Sequence, residues 1–433
     1  MLILARYITT YLMSTFINTL AFAKQLDSQD ALQAYRQKFH IPQHNGSDMV
    51  YFTGNSLGLQ PKTTKAYLDQ ELLDWATYGV EGHFLAKNPW VSYHELLTDK
   101  TARIVGAKPS EVVMMNQLTV NLHLLMVSFY RPTKQRYKIL CEEKAFPSDQ
   151  YALQSQVKFH GYSPNDAIIE IAPREGEYEV RHEDIYKAIE ANKDSIALIM
   201  IGGVNYFSGQ VFDMKAITEA GHKAGAVVGF DLAHAAGNLK LELHNWNVDF
   251  AAWCSYKYLN AGPGSVAGAF VHEKHHENTD LPLFAGWWGH DKAERFKMAK
   301  EFNPIKSVER WQMSNAPILS MAAYKASLDI FDEVGMDALT KKSKELTAYL
   351  EFVVEEINKQ KNNCLEIITP KQNRGCQLSI VAHGQGKALF NKLMENGVIP
   401  DWREPNVIRC APVPMYNSFE DVYRFGEILL KLL

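Results

Sequence analysis

The sequence predicts an α/β protein: a large domain with a mainly parallel sheet sandwiched by helices, followed by a smaller α+β C-terminal domain. Three observations predict it. The middle third alternates continuous apolar runs of strand length with helical patterns, and such runs suit strands buried on both faces. After about residue 315 the texture changes to helix rich in Ala, Leu, Lys and Glu, followed by short strands. The 433 residues, at roughly 150 per domain, allow two or three domains with a large core. The expected division is an N-terminal arm over 1–48, a large domain over 49–315 and a small domain over 316–433.

Taken in order, residues from about 15 to 40 read as one amphipathic helix ended by Ile41-Pro42. Val50-Tyr51-Phe52 is a short apolar run, and Thr53-Gly54-Asn55-Ser56-Leu57-Gly58 is a loop by its turn chemistry. Pro61 sits where a helix can begin, and Ala66, Leu68, Leu72 and Leu73 suit one. The runs Tyr137 to Cys141, Ile168 to Ala172, Ile196 to Ile201, Ala226 to Phe230 and Val266 to Val271 are the buried strands. Between two of them MKAITEAGHKAG is helical, with Gly225 as its C-terminal cap. Strand, helix, strand repeating is the α/β pattern. Residues 318–360 are mostly helical with a break at Gly335. Leu365 to Ile368 and Gln377 to Ala382 read as strands. Helices follow through KALFNKLMENG and from Ser418 to Leu433.

Composition excludes several classes. Hydrophobic content is 46% and net charge is 45 − 49 = −4, so extensive disorder is excluded. A nucleic-acid binder needs a basic excess that this chain lacks. The chain is rich in groups that grip a small polar aromatic ligand, with 15 His, 8 Trp and 20 Tyr. Cys141, Cys254, Cys364, Cys376 and Cys410 show no CxxC spacing, which reads as reduced thiols, not a disulfide framework or zinc site. Residues 7–23 carry no charge and follow Arg6. A signal peptide is opposed by the interrupting Thr, Ser and Asn and by the single basic residue. The stretch also falls short of the roughly 18–20 apolar residues of a membrane span. The expectation is an ordinary helix, with Met13 a candidate start, in a soluble cytoplasmic protein without membrane or nucleic-acid partners.

The chemistry concentrates in GFDLAHAAGNLKLELHNWNVDFAAWCSYKYLNAGPGSVAGAF. Asp231 sits at the carboxyl end of a buried strand, the edge where open α/β sheets bind ligands. A carboxylate there is costly unless something positive meets it. Lys257 follows the apolar run Phe250 to Cys254 and precedes a Gly-rich stretch, the setting of a Schiff-base lysine. A lysine for covalent attachment and a carboxylate for a pyridine nitrogen together suggest pyridoxal phosphate (PLP).

With these residues in view, the chain resembles kynureninases, PLP-dependent hydrolases of fold type I in the aminotransferase class V group. The matching segments run in order: YFTGNSLGLQP at 51–61, GHFLAKNPW at 82–90, MNQLTVNLH at 115–123, FPSDQYA at 146–152, GVNYFSGQ at 203–210, DLAHAAGN at 231–238, SYKYLNAGPG at 255–264, GWWGH at 286–290, SNAPIL at 314–319 and IRCAPVPMYNS at 408–418. They cover nearly the whole chain beyond the first twenty or so residues. The Asp-x-Ala-His and Ser-Tyr-Lys-Tyr pair is shared with cysteine desulfurases; FPSD, GWWGH and APVPMYNS narrow the resemblance.

The resemblance implies roles. Lys257 holds the cofactor and shuttles the substrate α-proton. Asp231 pairs with the pyridine nitrogen and His234 supports the cofactor face or Asp231. Phe146 stacks on the ring, with Pro147, Ser148 and Asp149 in the same loop. Leu118 and Thr119 cradle the phosphate at a helix N-terminus. Tyr256 donates to the phosphate and acts as acid/base at the substrate carbonyl. Trp287 and Asn315 reach the site from a neighbouring subunit, which implies a homodimer. Arg409 binds the substrate carboxylate, where a bidentate pair fixes orientation, and His83, Ser56 and Asn315 lie near the substrate ring. One departure is Gly202, where the family commonly has Ser or Thr, so a hydroxyl contact is missing.

The implied reaction is hydrolysis of L-kynurenine or 3-hydroxykynurenine at the Cβ–Cγ bond, releasing anthranilate or 3-hydroxyanthranilate and L-alanine, in tryptophan catabolism and pyridine nucleotide biosynthesis. The alternative is another class V PLP enzyme, a desulfurase or aminotransferase, but no cysteine sits in a loop with an activating neighbour. A non-catalytic scaffold has no use for Asp231, Lys257, Tyr256 and Arg409 together. A metal hydrolase using His272, His275 and His276 with Asp231 lacks HExxH geometry, and HEKHHENTD reads as a solvated turn.

Overall fold

A computed structural model describes residues 16–433, so the expectations for residues 7–15 and Met13 lie outside the described residues. The chain divides into two compact units, one of residues 63–206 and 211–333 and one of the described residues up to 62 with 207–210 and 334–433. This differs from the expected division at three places, one of them residues 207–210, which belong to the smaller unit. The described N-terminal residues belong with the C-terminal unit and form no separate arm, and the helix Ile318–Val334 falls almost wholly in the larger unit.

The larger unit is built on a seven-stranded sheet. Its strands are β1 (Val112–Met114), β2 (Lys138–Glu142), β3 (Ile168–Ile171), β4 (Ile196–Gly202), β5 (Val227–Asp231), β6 (Phe250–Trp253) and β7 (Gly268–Val271). In space the order is β1-β7-β6-β5-β4-β2-β3. From β3 to β6 all neighbours are parallel. The five expected strands are present within a residue or two, except that Val266 and Ala267 fall outside β7. The sheet is mainly parallel, as expected, but β7 is antiparallel to both β6 and β1. The physical reason is its connection. Residues 254–267 contain no helix, and a parallel return needs a crossover, whereas an antiparallel one needs only a reversal. β1 is three residues long and its apolar run is too short to stand out.

The helices Leu118–Phe129 and Pro147–Phe159 cover one face, and their apolar sides pack with β2, β4 and β6 in one core. Phe129 stacks on Phe250 with ring centroids 5.0 Å apart. The helix Met214–Lys223 is capped by Asp213, whose side chain accepts from the Ala216 N–H. Gly225 follows its end at φ +75°, a left-handed turn that a side chain would strain.

In the smaller unit a four-stranded sheet has the order β8-β9-β11-β10, with β8 Leu365–Ile367, β9 Leu378–Ala382, β10 Asp401–Arg403 and β11 Val407–Cys410. The helices Met336–Gln360, Gly386–Glu395 and Phe419–Leu432 pack on it. The last is capped by Ser418, whose side chain accepts from the Asp421 N–H. The long helix expected over 15–40 is two pieces, an α-helix Leu20–Gln29 and a 3-10 segment Gln33–Lys38. Asp30 interrupts it: its carboxylate accepts from the Leu32 N–H at 2.8 Å and pairs with Lys342 at 2.7 Å. Arg36 and Asp27 then fix this segment to the final helix, through Asp421 and through the Phe419 and Glu420 N–H groups. The helix expected from Pro61 starts at Thr64.

The HEKHHENTD segment is a mostly exposed turn, as expected, but its histidines are not solvated. His272 and His276 are buried. His275 Nε2 donates to Asp249 at 2.8 Å, and His222 Nε2 donates to the same carboxylate at 2.8 Å. His244 Nδ1 donates to Glu111 Oε1 at 2.9 Å, and the two rings of His244 and His272 stack 4.8 Å apart. These groups gather around Glu111 and Asp249, not around Asp231.

Candidate active site

The carboxyl ends of β2, β4 and β5 place Glu142, Gly202 and Asp231 along one edge of the sheet, the edge at which open α/β sheets bind ligands. The chain after β6 brings Tyr256 and Lys257 to the same edge. Their loop is held by Ser255, whose hydroxyl bonds Ser265 and the Val266 carbonyl, and by the Asn260 N–H donating to the Lys257 carbonyl at 3.0 Å. Here a cavity of about 330 Å³ opens.

Its lining has four chemical faces. Lys257 Nζ lies 3.0 Å from His234 Nε2 and 5.8 Å from the centre of the Phe146 ring. The helix Leu118–Phe129 begins at the cavity wall without any side-chain cap, so its first-turn N–H groups have no partner inside the helix. Asp231 and Asp149 lie against each other, both buried. Glu142 accepts the Gly202 N–H, 3.2 Å from each of its oxygens.

Burial is the dominant electrostatic fact. It pushes Asp231 above the ordinary carboxylate range, opposed by the Asp149 hydrogen bond, the Ala233 N–H and the Lys257 charge. Asp149 is raised far above that range, by burial and then by Asp231. Its Oδ1 is buried without a hydrogen-bond partner. Glu142 is pushed up to about 7 by burial. Tyr256 is raised by burial and by neighbouring Cys254, so its hydroxyl stays a proton donor at neutral pH. The cavity thus concentrates carboxyl groups around one amine, an arrangement that suits a ligand with a cationic ring nitrogen at one end and an anionic group for the uncapped helix.

Of the residues singled out in the sequence, Leu118, Thr119, Phe146, Ser148, Asp149, Asp231, His234, Tyr256 and Lys257 line this cavity together. Pro147 starts the helix Pro147–Phe159 and does not line it. His83, Trp287 and Asn315 are in the same unit but outside the lining. His83 Nδ1 bonds the Val80 carbonyl at 2.9 Å, and Trp287 Nε1 donates to the Arg295 carbonyl at 3.0 Å. Ser56 and Arg409 belong to the other unit. There Ser56 and Asp401 line a separate cavity, and the fully buried Arg409 donates to Asp401. Sequence reasoning missed Gln117, Glu142, Val204, Tyr206 and Ala233, and set aside Gly202, all of which line the first cavity. Glu142 was discoverable by the rule that picks out Asp231, since it closes the apolar run YKILCE.

Comparison with known proteins agrees with this geometry. The family model described as the Kynureninase C-terminal domain matches residues 339–429. The kynureninase of Flavobacterium psychrophilum is 63% identical over 418 residues, 96% of this chain and 98% of that protein. The chain belongs to the kynureninase family. The kynureninase of Flavobacterium johnsoniae is 62% identical over 96% of this chain and 99% of its own length, and that of the animal Nematostella vectensis 50% identical over 94% and 92%. Among solved structures, an apo cysteine desulfurase from Thermococcus onnurineus NA1 superposes with a TM-score of 0.73 at 16% identity, covering 89% of this chain and 94% of that one. A complex of the cystine C-S lyase C-DES gives 0.75 at 15%, covering 88% and 98%. These two establish the fold, the one expected from the sequence. The kynureninase resemblance read from the motifs holds over the chain's length.

Proposed function

We propose that this kynureninase-family chain takes PLP in the Lys257 cavity and hydrolyses the Cβ–Cγ bond of L-kynurenine or 3-hydroxykynurenine, yielding the corresponding anthranilate and L-alanine. The observation that carries the reading is the placement of Lys257 and the buried Asp231 in one cavity of such a chain.

The residues fit the cofactor. The uncapped helix offers the Leu118 and Thr119 N–H groups to a phosphate. Phe146 offers a ring face, and the unpartnered Asp149 Oδ1 with Ser148 offers polar contacts. Asp231, a carboxylate beside Lys257 and the Ala233 N–H, suits a protonated pyridine nitrogen. PLP, when bound, would supply the electron sink for bonds at the substrate's Cα and Cβ.

The protein's part is position and proton traffic. Lys257 would hold the cofactor and serve as the base for the α-proton, with His234 steering its amine. Tyr256, kept protonated, donates at the carbonyl that water attacks. Arg409 is assigned to the substrate's α-carboxylate by its chemistry. His83, Ser56 and Asn315 are assigned to the substrate ring, and Trp287 and Asn315 to a neighbouring subunit.

A homodimer is part of this proposal. Trp75, Val80, Phe84, Leu85, Trp287 and Phe296 are all more than 40% exposed, an apolar display that a second copy would cover. The cytoplasm is proposed from five free cysteines; among the described residues no helix is long and apolar enough to cross a membrane. A desulfurase reading finds no support in four of the five thiols: Cys141, Cys254, Cys376 and Cys410 are buried and raised by burial, the wrong direction for a nucleophile.

The test is to mix purified protein with PLP and L-kynurenine and follow anthranilate fluorescence. Steady release, equimolar with alanine, is expected. Transamination or sulfur release from cysteine, without anthranilate, would replace the proposal with another class V activity.

A further inference from the structure

Glu142 is a buried carboxyl on the cavity wall. Its oxygens accept from backbone N–H groups, its own and that of Gly202, the latter 3.2 Å from each oxygen. Gly202 in turn pairs with Asp231 across β4 and β5. Gly202 has no left-handed backbone to explain its glycine. A Cβ there would stand 3.0 Å from Glu142 Oε1 and 3.4 Å from the Val204 carbonyl oxygen, close enough that the end of the Glu142 side chain would have to give. The carboxyl group therefore crowds the place where a side chain at 202 would start, on the cavity wall beside Asp231.

We propose that Glu142 is a further positioning residue of this site, a buried carboxyl packed against residue 202 that sets the charge standing beside Asp231. The proposal rests on the reading that the cavity takes PLP. The charged and titratable groups around Glu142 are Asp231 on β5, Asp149 on the helix Pro147–Phe159, Lys257, Tyr256 and His234 at the cavity, Cys141 on its own strand and Glu170 on β3. Burial pushes Glu142 up to about 7, so its charge changes across the working pH range while Asp231 keeps the Lys257 charge beside it. A carboxyl near 7 in the folded protein and about 4.3 unfolded contributes stability that is full below the unfolded value. That contribution is lost as pH rises through 7.

The experiment compares wild type, Glu142→Gln, Gly202→Ala, Glu142→Ala and the double variant Gly202→Ala/Glu142→Ala. First, melting of the apo-proteins is followed from pH 5 to pH 8. Glu142→Gln, which keeps the shape without the charge, is expected to gain on wild type as pH rises. Second, PLP uptake by apo-protein is titrated by absorbance at pH 6 and pH 8. The ratio of dissociation constants, Glu142→Gln to wild type, is expected to change at least threefold between the two. Third, Gly202→Ala alone is expected to weaken PLP uptake, and Glu142→Ala to recover part of that loss in the double variant. Parallel melting curves with a constant ratio and additive effects would overturn the role of Glu142 while leaving PLP binding intact. Failure of wild type itself to take up PLP would remove the underlying reading, and this proposal with it.

Discussion

Lys257 Nζ and His234 Nε2 are 3.0 Å apart across the cavity floor. The contact fixes where the Lys257 side chain ends in the cavity. It also links the two loops after β5 and β6.

Asp231→Asn removes the buried carboxylate proposed for the ring nitrogen. An uncompensated interaction of about 3 kcal/mol corresponds to roughly 10²-fold in rate. Steady-state kinetics of the holo-variant should show at least that loss in kcat. A variant within a factor of ten of wild type would take Asp231 out of the proton-holding role.

Tyr256→Phe tests the proton donor. Burial raises this phenol above its ordinary value, so it does not titrate near neutral pH. The variant should lose roughly 10²–10⁴-fold in kcat, with a smaller change in KM and no shift of the limbs of the pH profile. An unchanged kcat would assign the acid/base step elsewhere.

Those residues show how much of the site the sequence discloses. Asp231 ends a buried strand and Lys257 follows one, and each position follows from local pattern, whereas Phe146 comes only through the family resemblance. Glu142 follows the same rule but has no loop signal after it. His83, Trp287 and Asn315 fall outside the lining; the contacts proposed for a second copy are of a kind that strand and helix patterns do not disclose. The fold was legible where runs are long. It was not at β7, whose direction depends on a helix-free connection, nor at Asp30, where one side chain captures a backbone N–H and stops a helix that periodicity continues.

Asp249 anchors a charge network far from the reaction's requirements. Burial works against its ionised form, but hydrogen bonds from His222 and His275 and the Lys274 charge outweigh it and hold the carboxyl well below its ordinary value. A depressed carboxyl contributes stability above its unfolded value of about 3.9 and loses it as pH falls. Asp249→Asn should therefore cost about 2–4 kcal/mol at pH 7. The gap to wild type should narrow below pH 4 in denaturant titrations. A gap independent of pH would show that the network acts by shape alone.

The exposed apolar display predicts the assembly. Trp75→Glu with Val80→Glu should halve the mass measured by light scattering and lower activity, since Trp287 and Asn315 are proposed to act across copies. A wild-type monomer with full activity would contradict the shared site.

The central claim is that Lys257 holds PLP covalently. Reduction of the holo-protein with borohydride fixes the link, and mass spectrometry of its peptides locates it. The predicted result is a single pyridoxyl-phosphate mass on the peptide containing Ser255-Tyr256-Lys257-Tyr258, absent from Lys257→Ala. Label on another lysine, or none on wild type incubated with PLP, would contradict the account.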